Sequence, residues 1–366
     1  MRRAATTSDR RDRWRRAAGA VVLALLVAGC DAGPDARIEE LHVFGATAEL
    51  QLRGTDPAVA DPALAEATAE LARLHREWHP WEASDLTRIN DALAVGDSAE
   101  APPSLLALIA RSRPLAAESG GLFDPAVGGL VAAWGFHTSV FPVVSPAPGR
   151  ERIEAWRASR PRIEDVVVDG DRVSTRNRAV QLDFGAISEG MAAEIVVGIL
   201  RRHGVEHALV NLGGDIAVIG DGGTRPWRVA LRDPFGGVLG GISLADGEAL
   251  FSTGNYNKFR TSPSGTRWAH ILDPRTGYPA RGTAAVIVLH PDPARADAAA
   301  TALYVAGPAG FEAIARRMRL GCALMVTDEN EMMVTAAMAE RVQLDRDPVP
   351  LGAPIDIGPD CRGPGG

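Results

Sequence analysis

Lysine is nearly missing from this chain. Among 366 residues and 39 basic side chains, Lys258 is the only lysine, and the rest of the positive charge is arginine. That bias is compositional and carries no mechanism by itself. Cysteine is almost as scarce, with three copies at Cys30, Cys322 and Cys361, and their spacing shows neither a zinc site nor a disulfide framework. Cys322 lies in the apolar run "LGCALMV" and reads as a small buried hydrophobe, whereas Cys361 falls in a Pro/Gly-rich tail. A positive balance is absent too. The formal net charge of -7 argues against sequence-independent grip on nucleic acid, which needs clustered cations facing phosphates. No internal repeat or low-complexity tract is visible, which excludes a solenoid. What remains is a chain that is 46% hydrophobic and long enough to bury a large core, as one big domain or two lobes.

The N-terminus differs from the rest. "MRRAATTSDRRDRWRRAAG" is strongly cationic, and "AVVLALLVAGC" follows as an apolar run too short for a comfortable membrane span, so residues 1–29 read as a secretory signal. Leu26-Val27-Ala28-Gly29-Cys30 resembles the bacterial lipobox, whose cysteine is diacylated and becomes the mature N-terminus. Cys30 is therefore expected to be a lipid anchor, each buried methylene contributing about 0.8 kcal/mol. The alternative is an ordinary cleaved signal with an incidental cysteine. Asp31 resembles an inner-membrane retention signal, so the expected location is the periplasmic face of a bacterial inner membrane. The Arg10-Arg11 pair leaves twin-arginine export open beside the general route. The expected organisation is a linker over 30–37, a main domain over 38–345 and an irregular tail over 346–366.

Periodicity outlines the domain. "LHVFGATAELQLRG" alternates as a strand ending in a turn, and "ALAEATAELARLHREW" and "SLLALIARSRPLAAES" repeat apolar residues at helical spacing. Residues 136–162 are rich in Pro, Ser and Arg and read as surface irregularity. Then come a strand "AVQLDF", a helix "SEGMAAEIVVGILRRHG", a strand "HALVNL" and further strands to "TAAVIVLH". Two more helices and a final strand "CALMVTD" complete the domain. With few strict strand-helix alternations, the mixture predicts an α+β fold rather than a doubly wound sheet.

Polar chemistry collects at the ends of the apolar runs. In "PARADAAATALYV", Asp297 and Thr301 stand four residues apart, one helical turn above the other on a wall of alanines. A local reading has Asp297 complementing the helix dipole and Thr301 bonding back to a carbonyl. A second reading makes them two oxygens of a hard-cation site. "LDFGAISEG" carries Gly185 at a strand-to-helix junction, where main-chain groups approach an anion or simply turn. "NLGGD" offers the same two readings through Gly213 and Gly214. In "HILDPRTGYP", His270 stands at a strand end before a rigid turn, as a base or as a structural hydrogen-bonder.

These motifs, in their order, resemble the ApbE-like FAD:protein FMN transferases, formerly labelled thiamine-biosynthesis lipoproteins. The resemblance runs through "GLFDPAVGGLVAAWGF", "LDFGAISEG", "NLGGD", "STGNY", "HILDPRTGYP" and "DAAAT", over nearly the whole chain after the signal. It implies a T-fold-like α+β architecture with mixed and antiparallel sheets, and an FAD cleft between lobes. It also implies a reaction: a threonine hydroxyl of a partner protein attacks the FMN-side phosphorus of FAD, AMP leaves, and FMN stays as a phosphoester. By the same resemblance Asp297, Thr301 and the carbonyl of Ala186 match magnesium ligands. His270 matches a candidate general base, and Asp297 is essential to rate. Asp124, Gly185, Ala186, Glu189, Asn211, Gly213, Gly214, Asp215, Ser252, Thr253, Gly254, His270 and Asp273 fall on cofactor-binding motifs.

Some positions depart from the pattern. Glu189 stands where many relatives carry Lys, Asn255 replaces an Asp, Gly129 replaces a Pro, and in "WHPWEASDLTRIN" the expected flavin-stacking Tyr is missing. Trp78 and Trp81 stand nearby, and an indole stacks on isoalloxazine as a phenol does, so Trp81 is assigned that role. Acceptors implied by the resemblance are subunits of sodium-pumping quinone reductases or related membrane electron-transfer complexes. Two other functions fit the same motifs: an FAD pyrophosphatase giving FMN and AMP, and a non-catalytic FAD-binding lipoprotein.

Overall fold

Every residue of Thr283–His290 is buried, and its neighbours explain why. Val286 and Val288 enter one apolar core and Ile287 and Leu289 a second one, so the strand is covered on both faces and reads as a continuous apolar run. The structure, a computed structural model, describes residues 36–361 apart from 257, 263, 264, 266, 347, 359 and 360. The expected signal over 1–29, most of the linker and Cys30 lie outside the described residues.

Twelve strands build the two main sheets: β1 (Ala36–Val43), β2 (Ala46–Arg53), β3 (Ala208–Leu212), β4 (Asp215–Ile219), β5 (Trp227–Arg232), β6 (Val238–Leu244), β7 (Ala249–Gly254), β8 (Thr283–His290), β9 (Cys322–Thr327), β10 (Glu331–Val334), β11 (Val342–Leu344) and β12 (Val349–Pro350). Nine of them form one sheet in the order β1-β2-β3-β4-β7-β8-β9-β10-β12. All its neighbours are antiparallel except β10 and β12. The other three form a small sheet, β11-β6-β5. This is the α+β class expected, with the long helices on one side of a largely antiparallel sheet.

The helices are α1 (Pro57–Trp78), α2 (Asp85–Val95), α3 (Pro103–Ser119), α4 (Gly128–Ala133), α5 (Arg150–Ser159), α6 (Ser188–Arg202), α7 (Pro293–Arg317) and α8 (Ala336–Arg341). Helix α7 packs on β7, β8 and β9 and against α3 and α6, while α6 also meets α1. Their stripes form the larger core with one face of the sheet. The opposite face packs on residues of β5, β6 and α8. A third cluster, including Trp134, Phe136, Val143 and Leu272, supports the loop that carries His270.

Several elements differ from expectation, each for a local reason. "LHVFGATAELQLRG" is a hairpin, folded at Phe44-Gly45. "AVQLDF" makes no strand beyond one bridge from Gln181 to Val127, because the Asn90 amide takes both main-chain groups of Leu182 at 2.7 and 2.9 Å. Within 136–162 the chain forms α5, whose only buried residue is Ile153, so no apolar stripe marks it. Gly307, at φ 67°, separates the two helices read from the sequence within the span of α7. The segment after 345 is not wholly irregular, since β12 pairs with β10 and Ile355 bridges Thr335.

The cysteine reading is corrected as well. Cys322 and Cys361 form a disulfide, with 4.7 Å between their Cα atoms. The bond depends on the tail returning over β9, and no local spacing encodes that return.

Candidate active site

The site begins where α6 crosses α7. Helix α6 starts without a side-chain cap, which leaves first-turn N–H groups for other partners. One of them, Gly190 N–H, donates to Asp297 Oδ2 at 2.9 Å. The contact needs glycine: a Cβ at position 190 would stand 2.5 Å from the Pro293 carbonyl oxygen and 2.7 Å from Ala294 Cα. The small residues of both motifs thus bring two helices close enough for one carboxylate to bridge them.

Helix α7 is launched separately. Asp292 caps it by accepting from Arg295 N–H at 3.0 Å, and Pro293 occupies its first position. Asp297 is therefore free of capping duty, and it is only 6% exposed. One turn on, the Thr301 hydroxyl lies 3.4 Å from the Thr253 hydroxyl at the end of β7. Beside it, Ser252 N–H donates to Asp215 Oδ1 at 2.8 Å, tying the end of β7 to the start of β4. Ser188 donates to Glu189 Oε2 at 3.1 Å.

Charge marks this place out. Burial raises the Asp297 carboxyl well above its usual range, and the charges of Glu189 and then Asp215 raise it further. Burial and then Glu189 do the same to Asp215. Burial also raises Glu189, against the opposing pull of Lys258. Three acids repelling one another inside a protein form an arrangement that a cation completes. Among the described residues no three His, Cys, Asp or Glu side chains form a metal cage. Helix α7 itself offers the Asp297 carboxylate and, one turn on, the Thr301 hydroxyl.

His270 faces the same field. Its main-chain N–H donates to the Lys258 carbonyl at 3.3 Å, and its ring Nδ1 lies 3.0 Å from that oxygen. A carbonyl only accepts, so Nδ1 carries the proton and Nε2 keeps its lone pair. Burial, followed by the charge of Lys258, pushes the imidazole down to about 4. The ring is neutral at pH 7.

The two tryptophans have different surroundings. Trp78 is buried, stacks on Phe44 and donates its indole N–H to Ser104. Trp81 is 39% exposed and stacks on His137, with centroids 5.4 Å apart and planes 23° from parallel. His137 Nε2 lies 3.0 Å from Asp183 Oδ2, and the other Asp183 oxygen accepts Gly185 N–H at 2.9 Å. One carboxylate thus links the tryptophan platform to the turn that presents Gly185 and Ala186. Sequence reasoning passed over Asp183, His137 and Lys258. The first stands inside a quoted motif, the second directly after "WGF", and the third was visible as the sole lysine.

Other expected residues serve the frame. Gly213 and Gly214 form a two-residue hairpin turn between Leu212 and Asp215, at φ 69° and 111°, and Asn211 Oδ1 accepts Gly214 N–H at 2.8 Å. Gly254 closes β7. Asp273 is buried and takes the main-chain N–H and the guanidinium of Arg275, fixing the turn after His270. Asp124 accepts from Ala126 and Ile163 N–H at 2.9 and 3.0 Å.

Comparison with known proteins agrees with this picture. A family model described as the ApbE family matches residues 44–326. An FAD:protein FMN transferase of Rhodobacter capsulatus is 41% identical over 87% of this chain and 60% of its own length. The chain thus covers less than two thirds of that relative. One from Treponema pallidum is 31% identical over 66% of this chain and 70% of its own. The apo crystal structure of Pseudomonas stutzeri flavinyl transferase ApbE superposes with a TM-score of 0.72 at 30% identity, covering 84% of this chain and 97% of that one.

Proposed function

The chain belongs to the ApbE family, and from that premise we propose that it transfers FMN from FAD to a protein. The observation that carries the reading is the meeting of Asp297, Glu189 and Asp215, where Glu189 raises both other carboxyls and Asp215 raises Asp297, while the Lys258 charge acts on both Glu189 and a neutral His270.

In this proposal the diphosphate of FAD lies near the turn into α6, at the positive end of that helix's dipole. Asp297, Thr301 and the Ala186 carbonyl would hold magnesium. The donor set fits, because hard oxygens with few protein ligands suit that ion and the mutual repulsion of the acids calls for positive charge. Magnesium, when bound, draws charge off the attacked phosphorus and the departing AMP.

The chain's own residues do the rest. His270 Nε2 takes the proton of an acceptor threonine hydroxyl as that oxygen bonds to the FMN phosphorus and the bond to AMP breaks. Glu189, Asp215, Ser252, Thr253 and Gly254 wall the donor site, while Asn211, Gly213, Gly214, Asp124 and Asp273 hold its loops. Trp81 offers its indole to the isoalloxazine, already ordered by its stack on His137.

The proposed setting is the periplasmic face of the inner membrane, anchored through Cys30, with acceptors among subunits of membrane electron-transfer complexes. The leader sequence supports it, and so does the Cys322–Cys361 disulfide, since such bonds persist in oxidising compartments. Tethering both partners to one plane raises their effective concentration.

Incubation with FAD, magnesium and a threonine peptide of the Asp-Gly-x-Ser/Thr-Gly-Ala-Thr type, followed by mass spectrometry, tests the proposal. A peptide heavier by FMN, with AMP released, is the expected result. Free FMN and AMP alone would mean a pyrophosphatase, and unchanged FAD a binding protein.

A further inference from the structure

Away from the crossing of α6 and α7 the molecule carries a cavity of about 780 Å³, and its lining is rich in one residue type. Arg157, Arg160, Arg162 and Arg275 border it. They come from α5, from the segment that follows it, and from the 270–279 turn that also carries His270. Such a concentration of cations stands out on a chain whose net charge is -7.

Two of the arginines are held in place. Arg275 binds Asp273 and the Val305 carbonyl, and Arg157 donates from Nε to the Arg275 carbonyl at 3.2 Å. The other two flank Pro161 and are exposed, and no ion pair engages either of them among the described residues. Arg160 ends α5 in the left-handed conformation, at φ 45° and ψ 54°, where glycine is the usual residue. That backbone costs about 1 kcal/mol or more for a residue with a side chain. The acids of the lining offset little of this charge. Glu154 already pairs with Arg150, and burial pushes Asp124, at 8% exposure, up to about 7.

We propose that this arginine-lined groove docks an acidic stretch of the acceptor polypeptide beside the turn that carries His270. The inference rests on the transferase reading and adds the chemistry of its partner. Cations spread over three segments suit several carboxylates along a chain, and charge complementarity of this kind raises association rates and excludes wrong partners. Orientation follows as well, because a peptide held against Pro274 and Arg275 is held against the loop of the proposed base.

The test uses two labelled threonine peptides that differ only in their flanks, four glutamates against four glutamines, with binding followed by fluorescence anisotropy. The expected result is binding of the glutamate peptide at least tenfold tighter at low salt. That preference should vanish in the Arg160→Glu/Arg162→Glu variant and fade toward 0.5 M salt, about where the Debye length falls to a few ångströms. The KM for FAD should stay unchanged in the variant. Both side chains are exposed, so the fold tolerates the change.

Equal binding of the two peptides, or no binding of either, would overturn the proposal. So would a preference kept by the variant, or a raised KM for FAD, which would assign the groove to the donor. Binding to vesicles with 30% phosphatidylglycerol but not to the peptides would make it a lipid site instead. Anisotropy needs no turnover, so a docking groove on a protein that fails to transfer FMN would be recognised as such.

Discussion

The two faces of the nine-stranded sheet are both packed, and they are packed differently. On the face away from the long helices, Leu209, Ile216, Leu250, Ile287 and Leu324 meet β5, β6 and α8, and a disulfide ties the tail across them. On the other face Phe251, Val286 and Met325 meet α6 and α7, whose crossing also holds Asp297 among alanines. Apolar burial alone would have stabilised either face. At that crossing one carboxylate is shared between two helices, and neighbouring acids raise its pKa. In the proposed function the helical face gives up stability for chemistry, and the other face supplies stability.

Exchanging Asp297 for Asn should separate these roles most sharply. Removal of the charge that holds the cation should lower the transfer rate by about 10²–10³, the range seen when one preorganised electrostatic contact is deleted. Because the acid is repelled by its neighbours, the melting temperature should not fall. Rate assays with calorimetry on the same sample check both halves.

The other face should respond in the opposite way. Cys361→Ser opens the loop closed by the disulfide and should cost about 2–4 kcal/mol in urea unfolding. Its transfer rate per folded molecule should match wild type. A rate loss would mean that the two faces are coupled.

Gly190→Ala should breach the division. Its Cβ, 2.5 Å from the Pro293 carbonyl oxygen, must push α6 from α7, at a cost of about 1–3 kcal/mol. It also shifts the N–H that holds Asp297, so rate and stability should fall together.

The smallest effect is one of pH. With the imidazole near 4, the acid limb of kcat/KM should fall near there rather than at 6.5. The folded value lies below the unfolded one, so the native state binds fewer protons between 4 and 6.5. His270 therefore withdraws stability as pH falls through that window. Profiles for wild type and His270→Gln isolate its share.

Much of this was legible from residues. Alternation and helical spacing marked β8, α1 and α6, because each has a face whose burial is written in the sequence. Asp297 and Thr301 were legible because their spacing is one helical turn. Trp78 could be placed in the core only when Phe44 and Ser104 were seen to occupy it. Asp183 and His137 escaped because their partners lie 46 positions apart. The Cys322–Cys361 bond escaped for the same reason, being a product of tertiary return. The strand-like "AVQLDF" was lost to a single side chain, Asn90, that satisfied its backbone from 92 residues away.

The central claim is that Asp297 works through a magnesium ion at the diphosphate of FAD. Its most direct measurement is FMN transfer to the threonine peptide, followed by mass against magnesium concentration, for wild type and Asp297→Asn side by side. Saturable, magnesium-dependent transfer in the wild type and a loss of at least a hundredfold in the variant is the predicted result. Equal rates and equal magnesium dependence in the two proteins would contradict it.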